Sequence, residues 1–268
     1  MSFVTCCAGG VVYTAADSLG PGVRCAFSTR LGGVSGGAFE SLNLGRKRGD
    51  DPEKVAENFR RWCAAAGFDF DRMVFARQVH GTAVRVCTAG DAGIGLVREN
   101  DLECDALVTD VPGLTLVVFH ADCIPVLLHD PVRHAVGAVH AGWRGTASGA
   151  VTAAVEAMRA AYGTDPADLR AAVGPGICRA CFETRADVPD TVRSYLGGAA
   201  DACIDEHGDG TFRVDLKGIN VLRLLRAGVP EKNIDVSSDC TCHQSPLYWS
   251  HRLLGDARGS QASAICLL

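Results

Sequence analysis

The stretch "HADCIPVLLHDPVRHAVGAVHAGWRG", residues 120–145, places a hydrophobic hairpin between reactive side chains. Asp130-Pro131-Val132-Arg133 reads as a tight turn, with proline at the position its fixed φ suits. The flanking runs 124–129 and 134–139 have the length and β-branched content of short buried strands. With Asp130 opposite Arg133, Cys123 falls opposite His140, each seven residues out from the turn. Directly opposed side chains in an antiparallel pair have Cβ atoms about 4.5–5.5 Å apart, a distance that one metal ion or one proton transfer can bridge. A one-residue slip would keep the two close but spoil their shared face.

Working outward, "LTLVVFHADC" reads as a buried strand running into Cys123, and residues 106–109 as another. "MVFARQVH" and "AVRVC" read as strands broken at Gly81-Thr82, so that Gln78 and His80, two apart, share a face at a strand end. "DDPEKVAENFRRWCAAAGF" reads as a helix capped by Asp51, opened by Pro52 and ended by Gly67, with Val55, Phe59, Cys63 and Ala66 on one apolar face. The glycine-rich "CAFSTRLGGVSGGAFESLNLGRKRGDD" before it reads as a long loop near a site. After the hairpin, "TASGAVTAAVEAMRAAYG" is predicted as one helix with Thr146 or Ser148 as cap and Gly163 as stop. A strand at "LRAAVGPGI", a capped helix over 215–228 and a last strand at "QASAICLL" complete the pattern. No linker, repeat or low-complexity tract interrupts the chain, so residues 1–268 are expected to form one domain of mixed α and β structure.

Hydrophobic residues at 47% and charged residues at 21% suit a soluble globular chain. A net charge of −5 argues against a nucleic-acid partner. "MSFVTCCAGG" has neither the basic nor the apolar region of a secretory signal, and no run reaches membrane-spanning length. The expected location is cytoplasmic, where the 13 cysteines should be reduced thiols. "CRAC", Cys178 to Cys181, has the look of a redox or metal pair, and "CTC", Cys240 to Cys242, of another. Neither shows a partner pair at the spacing a structural zinc site requires, so both are expected to be plain thiols.

His80, Cys123 and His140 converge in this reading. Two imidazoles and a thiolate suit a catalytic zinc and leave a fourth position for water or substrate. Without a metal, Cys123 as nucleophile and His140 as its base would make a cysteine hydrolase. A third reading has zinc merely holding an interaction module together. Arg144, in "HAGWRGT", stands where a glycine-bearing turn enters a helix, a place receptive to phosphate.

These residues resemble a known family, the laccase-domain or YfiH-type proteins, variously described as polyphenol oxidases and purine nucleoside phosphorylases. The matching pieces are "STRLGGVSGGAFESLNLG", "GDDPEKVAEN", "QVHG", "CDALVTD", "ADCIPVLLHDP", "AVHAGWRGT", "GPGI", "DCT" and "WSHR", in family order over nearly the whole chain. The resemblance implies an α+β fold, a single domain of layered mixed β-sheets with outer helices. It implies zinc on His80, Cys123 and His140 as the catalytic centre, with purine nucleoside and phosphate as substrates. It further implies phosphorolysis of adenosine, guanosine, inosine and methylthioadenosine, together with adenosine deamination. Arg30, Asn43, Gln78 and Arg144 fall in motifs expected to line the substrate site, and the chain is expected to be a monomer or small homo-oligomer. The chain departs from the family where His120 stands for the usual threonine, at Cys181-Phe182 where a tyrosine is usual, at Arg252-Leu253 where two arginines are usual, and at Ser260, near which an arginine is usual. The loss of two C-terminal basic residues bears on phosphate affinity and substrate preference. The older name offers a copper-dependent phenol oxidase as an alternative. With eight His, three Met and no His-x-His pair, the chain is poorly stocked for several coppers. Asp122 is a candidate acid-base group by adjacency to Cys123.

Overall fold

A strand that is apolar without alternation must be covered on both sides, and both hairpin strands are buried at every position. The structure, a computed structural model, describes residues 3–46, 48–99 and 102–268. Lys47, in the glycine-rich stretch, and Asn100 and Asp101, in the loop before position 106, lie outside the described residues.

The strands in chain order begin with β1 (Phe3–Ala8), β2 (Val11–Ala16), β3 (Val23–Ser28), β4 (Met73–Val74) and β5 (Val84–Val86). Next come β6 (Ala106–Thr109), β7 (Thr115–His120), β8 (Ile124–Asp130), β9 (Ala135–Ala141) and β10 (Arg170–Val173). The last are β11 (Glu183–Thr184), β12 (Ile204–Glu206), β13 (Phe212–Val214), β14 (Ile234–Val236) and β15 (Gln261–Leu267). The helices are α1 (Pro52–Ala66), α2 (Trp143–Ser148), α3 (Ala150–Tyr162), α4 (Asp187–Leu196), α5 (Leu216–Arg226) and the short α6 (His251–Leu254).

Two mixed six-stranded sheets run β1-β2-β3-β15-β7-β4 and β14-β10-β8-β9-β6-β5, beside a small sheet β11-β13-β12. The large sheets face each other. Phe27, Leu116, Val118 and Ile265 of the first pack with Leu107, Leu127, Val136 and Ala138 of the second. The outer face of the second sheet, through Val126, Leu128 and Val139, packs on Val151, Val155 and Met158 of α3 and on Ile219 and Leu224 of α5. The first sheet's outer face, through Val117 and Ala264, packs on Phe59 and Trp62 of α1. The layered mixed sheets with outer helices implied by the resemblance are therefore present. Among the described residues, no helix is long and apolar enough to cross a membrane.

Helix α1 follows its sequence signals: the Glu53 N–H donates to Asp51 Oδ1 at 2.9 Å, Pro52 opens the helix, and Gly67 ends it at φ 77°. Three local expectations need correction. The hairpin pairs Asp130 with Ala135 and Pro125 with His140, so Cys123 is not directly opposite His140. The Asp130 carboxylate accepts from the Val132 and Arg133 N–H groups, each at 2.9 Å, and His134 turns the chain at φ 53°. This widens the loop and moves the register by two, an even shift that keeps the side-chain face. "MVFARQVH" is a strand only over Met73–Val74, because Phe75 N–H and Arg77 N–H donate to the carbonyls of Ile94 and Leu102 in a neighbouring loop. The helix after Trp143 is two helices, since Gly149 at φ 103° ends α2, with Thr146 inside it and Ser148 Oγ donating to the Arg144 carbonyl.

Candidate metal centre and cavity

The chain leaves the first sheet at the end of β7 and enters the second at the start of β8, so residues 121–123 cross between the sheets at one end of the sandwich. Cys123 ends that crossing, His140 stands in adjacent β9, and His80 comes from the loop after β4. One donor atom from each lies within 4.8 Å of the others. Cys123 Sγ is 3.9 Å from His80 Nε2, and the two imidazoles meet edge to face with centroids 4.8 Å apart.

A buried carboxylate that the sequence reading left out holds this arrangement. Asp105 Oδ1 accepts from His140 Nδ1 at 2.8 Å and from the His80 N–H at 2.9 Å. Oδ2 accepts from the Val79 N–H at 3.2 Å and the Gly81 N–H at 2.7 Å. Three successive backbone N–H groups around one anion form a concavity of the kind that binds anions. It offsets the cost of holding His80, a residue with a side chain, at φ 60°. The bond from Nδ1 fixes the His140 tautomer and leaves Nε2 as its ligand atom, the arrangement typical of metal-bound histidine.

Burial pushes the Asp105 carboxyl up, but the His140 hydrogen bond and the backbone N–H groups outweigh it and leave the pKa lowered. Desolvation likewise raises the Cys123 thiol, yet His140 and the bond from His80 hold it down to about 6. His140 is disfavoured as a cation by burial and favoured by Cys123 and Asp105, which raise it to about 9. A thiolate and two imidazoles are a fitting donor set for a d¹⁰ or borderline-soft metal. Gly142 completes the cradle: a Cβ there would stand 2.6 Å from His80 Cδ2 and 3.2 Å from Cys123 Sγ.

The trio lines a cavity of about 780 Å³, within the usual range for small-molecule sites. Phe75 and Phe119, in edge-to-face contact at 4.9 Å, form part of its wall, and Arg48 and Arg258 supply positive charge. Arg258 is buried, and its pKa is pushed down to about 10, first by burial and then by Arg48. Its Nη1 donates to the Gly259 carbonyl and Ser260 Oγ, whereas Nη2 makes no hydrogen bond among the described residues. The sequence reading did not single out Arg258, which stands two residues before Ser260. His120 also lines the cavity, bonded through Nε2 to Ser263 Oγ at 2.8 Å.

The other residues named from sequence fall as follows. Gln78 lines the cavity, but its amide is taken up by the Phe119 backbone, donating to the carbonyl at 2.7 Å and accepting from the N–H at 2.6 Å. Asn43 is buried and ties the glycine-rich loop together through Asp50, Gly45 and Ser260. Arg30 stacks 3.8 Å over Trp249 and donates to the carbonyls of Glu40 and Ser245. Arg144, on α2, lies against Trp143 at 4.3 Å. None of these last three lines the cavity. The Asp122 carboxylate accepts from Thr241 Oγ1, Ser250 Oγ and the Arg252 N–H, and Asp122 is not among the residues that line the cavity.

With fold and centre in place, the chain belongs to the family described as multi-copper polyphenol oxidoreductase laccase, whose profile matches residues 24–268. Among its relatives, the purine nucleoside phosphorylase YlmD of Geobacillus stearothermophilus is 36% identical over 236 residues, covering 86% of this chain and 85% of that protein. The purine nucleoside phosphorylase ORF3 of Streptomyces griseus is 40% identical over 230 residues, covering 85% and 87%. The crystal structure of the hypothetical protein YfiH of Bacillus licheniformis matches at TM-score 0.91 with 35% identity over 97% of each chain. That of YlmD from Geobacillus stearothermophilus matches at TM-score 0.91 with 34% identity over 97% of each chain.

Proposed function

We propose that this chain is a zinc-dependent purine nucleoside phosphorylase acting on adenosine, guanosine, inosine and methylthioadenosine, with adenosine deamination in the same cavity. One observation carries the reading: the His80, Cys123 and His140 donors share a single cavity with a buried arginine whose Nη2 has no protein partner among the described residues. The names of the relatives support the phosphorolytic class. His80, Cys123 and His140 would hold the metal, which supplies Lewis-acid polarisation of a substrate or water oxygen.

The rest follows from the chain's own groups. Arg258 and Arg48 bind and orient phosphate, taking the role that the sequence assigned to Arg144. A phosphate oxygen attacks C1′ as the bond from C1′ to the purine nitrogen breaks, giving ribose 1-phosphate and a purine that takes up a proton. Phe75 and Phe119 offer an apolar wall for the base. Asp105 keeps His140 in one tautomer and His80 in place, and Gln78 fixes the strand that carries Phe119 and His120.

A second reading is favoured by the order Cys123, His140, Asp105, which is that of nucleophile, base and orienting carboxylate. Product analysis with adenosine and phosphate, combined with metal analysis, separates the readings. Adenine with ribose 1-phosphate, dependent on stoichiometric zinc, is the expected result, and inosine reports the deamination. Phenol turnover with stoichiometric copper, or full activity in metal-free enzyme that is abolished by alkylation of Cys123 alone, would overturn it.

A further inference from the structure

Cys178, Cys181, Cys240 and His243 lie on two segments some sixty positions apart in sequence, yet their ligand atoms all fall within 4.8 Å of one another. The pair expected at Cys240 and Cys242 is instead Cys240 and His243, so each segment offers two ligands at the same x-x spacing. A one-turn fold closes each of them: the Phe182 N–H donates to the Cys178 carbonyl at 3.0 Å, and the Gln244 N–H to the Cys240 carbonyl at 2.9 Å. A parallel bridge between Gly176 and Cys240 holds the segments side by side. The Cys178 and His243 N–H groups donate to Cys240 Sγ at 3.3 and 3.5 Å, contacts that favour a thiolate.

We propose that these four residues form a second, structural metal site suited to zinc, closed by three sulfurs and one imidazole nitrogen. Tetrahedral bonds of about 2.3 Å to sulfur and about 2.0–2.1 Å to nitrogen place a sulfur and a nitrogen ligand about 3.6 Å apart. Cys178 Sγ and His243 Nδ1 are 3.6 Å apart. Three thiolates around a divalent ion leave one negative charge, and a buried cation is at hand to balance it. Lys217 donates to the carbonyls of Ser237 and Asp239 at 2.8 and 2.6 Å and, among the described residues, has no carboxylate within 4.0 Å. Burial lowers its pKa, and charge on Cys240 leads the effects that oppose this.

Four protein ligands leave no open position, so this site does no chemistry and instead staples chain segments together. It also reaches the crossing that bears Cys123. Thr241 Oγ1 donates to Asp122 Oδ1 at 2.6 Å, and the Ile177 N–H donates to the Asp122 carbonyl at 2.9 Å.

The full chain, loaded with zinc and desalted, should hold two metals by elemental analysis. His80→Ala with Cys123→Ser should hold one, and Cys178→Ser with His243→Ala should hold one. A metal content that Cys178→Ser with His243→Ala leaves unchanged, whether one or two, overturns the proposal, whereas a single metal lost only in that variant would count against the His80 centre instead. Should that variant fail to fold, alkylation of the wild type with peptide mapping still decides. Zinc is expected to slow labelling of Cys178, Cys181 and Cys240 at least tenfold while leaving exposed Cys7 unchanged. Equal labelling of the three with and without zinc overturns it.

Discussion

Replacing Asp105 by asparagine would separate the metal centre from the fold around it. The carboxylate accepts four hydrogen bonds, two on each oxygen. An amide has one acceptor oxygen, so whichever way the substituted side chain turns, its NH₂ faces two groups that also donate. With NH₂ toward His140, the imidazole must accept at Nδ1 and carry its proton on Nε2, where the ligand lone pair is needed. With NH₂ toward Val79 and Gly81, the loop that holds His80 at φ 60° loses its restraint. Each charge-assisted bond contributes about 1.5–3 kcal/mol, so losing two costs roughly 3–6 kcal/mol of stability. Outer partners of metal ligands typically govern about 10–100-fold in metal affinity. Asp105→Asn should therefore weaken zinc binding by about 10–100-fold in a chelator competition. Asp91 is a matched control: it is buried and accepts from Arg85 and Thr88, but it does not line the cavity. Asp91→Asn should lower the unfolding temperature without altering zinc affinity. Unchanged zinc affinity in Asp105→Asn, or an equal loss in Asp91→Asn, would refute the reasoning.

Gly142 has φ −65°, so alanine fits its backbone, and the effect of Gly142→Ala is steric. The variant should fold normally and lose the metal of the His80 centre; retention of that metal in elemental analysis would count against the cradle. Arg258→Met should raise the KM for phosphate by about 10–100-fold, from one lost charge-assisted bond, with metal content unchanged. An unaltered phosphate KM would remove Arg258 from the site. His120 takes up a proton below about pH 6.5 in the unfolded chain but stays neutral to about 3 in the fold, because of burial and the nearby His140 and Arg258 charges. The unfolded state then binds more protons, so stability is intact above pH 6.5 and falls as the pH drops, by roughly 2 kcal/mol at pH 5. Buried His129, shifted the same way, adds to the fall. Urea midpoints between pH 7 and 5 should decline, less steeply in His120→Thr, and a flat profile in the wild type would contradict the burial argument.

How much of this was legible in the chain depends on how local each determinant is. Helix α1 could be read almost entirely, because Asp51, Pro52 and Gly67 act on neighbouring backbone. The hairpin strands were legible from their apolar runs, but their register was not. It depends on a side chain, Asp130, that takes two turn N–H groups and lengthens the loop. The strand expected through His80 is missing because its backbone partners, Ile94 and Leu102, lie in a loop with no period to read. Asp105 had a signal, a carboxylate immediately before the apolar strand at 106–109, where an unpartnered charge would be costly. Arg258 had none beyond its nearness to position 260. The thiol cluster was half legible, since matching two segments across sixty positions takes the Gly176 to Cys240 bridge. The family resemblance, carried by motifs dispersed over the chain, supplied the layer order that periodicity alone left open.

The crossing at residues 121–123 has a consequence for how the protein responds to distant change. His80 follows a strand of the first sheet, His140 belongs to the second, and Cys123 sits on the thread between them. A metal bound by all three would act as a rivet through both layers, its grip a measure of their alignment. Any substitution that lets one sheet slide on the other, such as Phe27→Ala or Leu127→Ala in the shared core, is then sensed at the centre without touching it. Metal affinity would then be a gauge of interlayer packing, and an occupied centre would restrain the sandwich from shear.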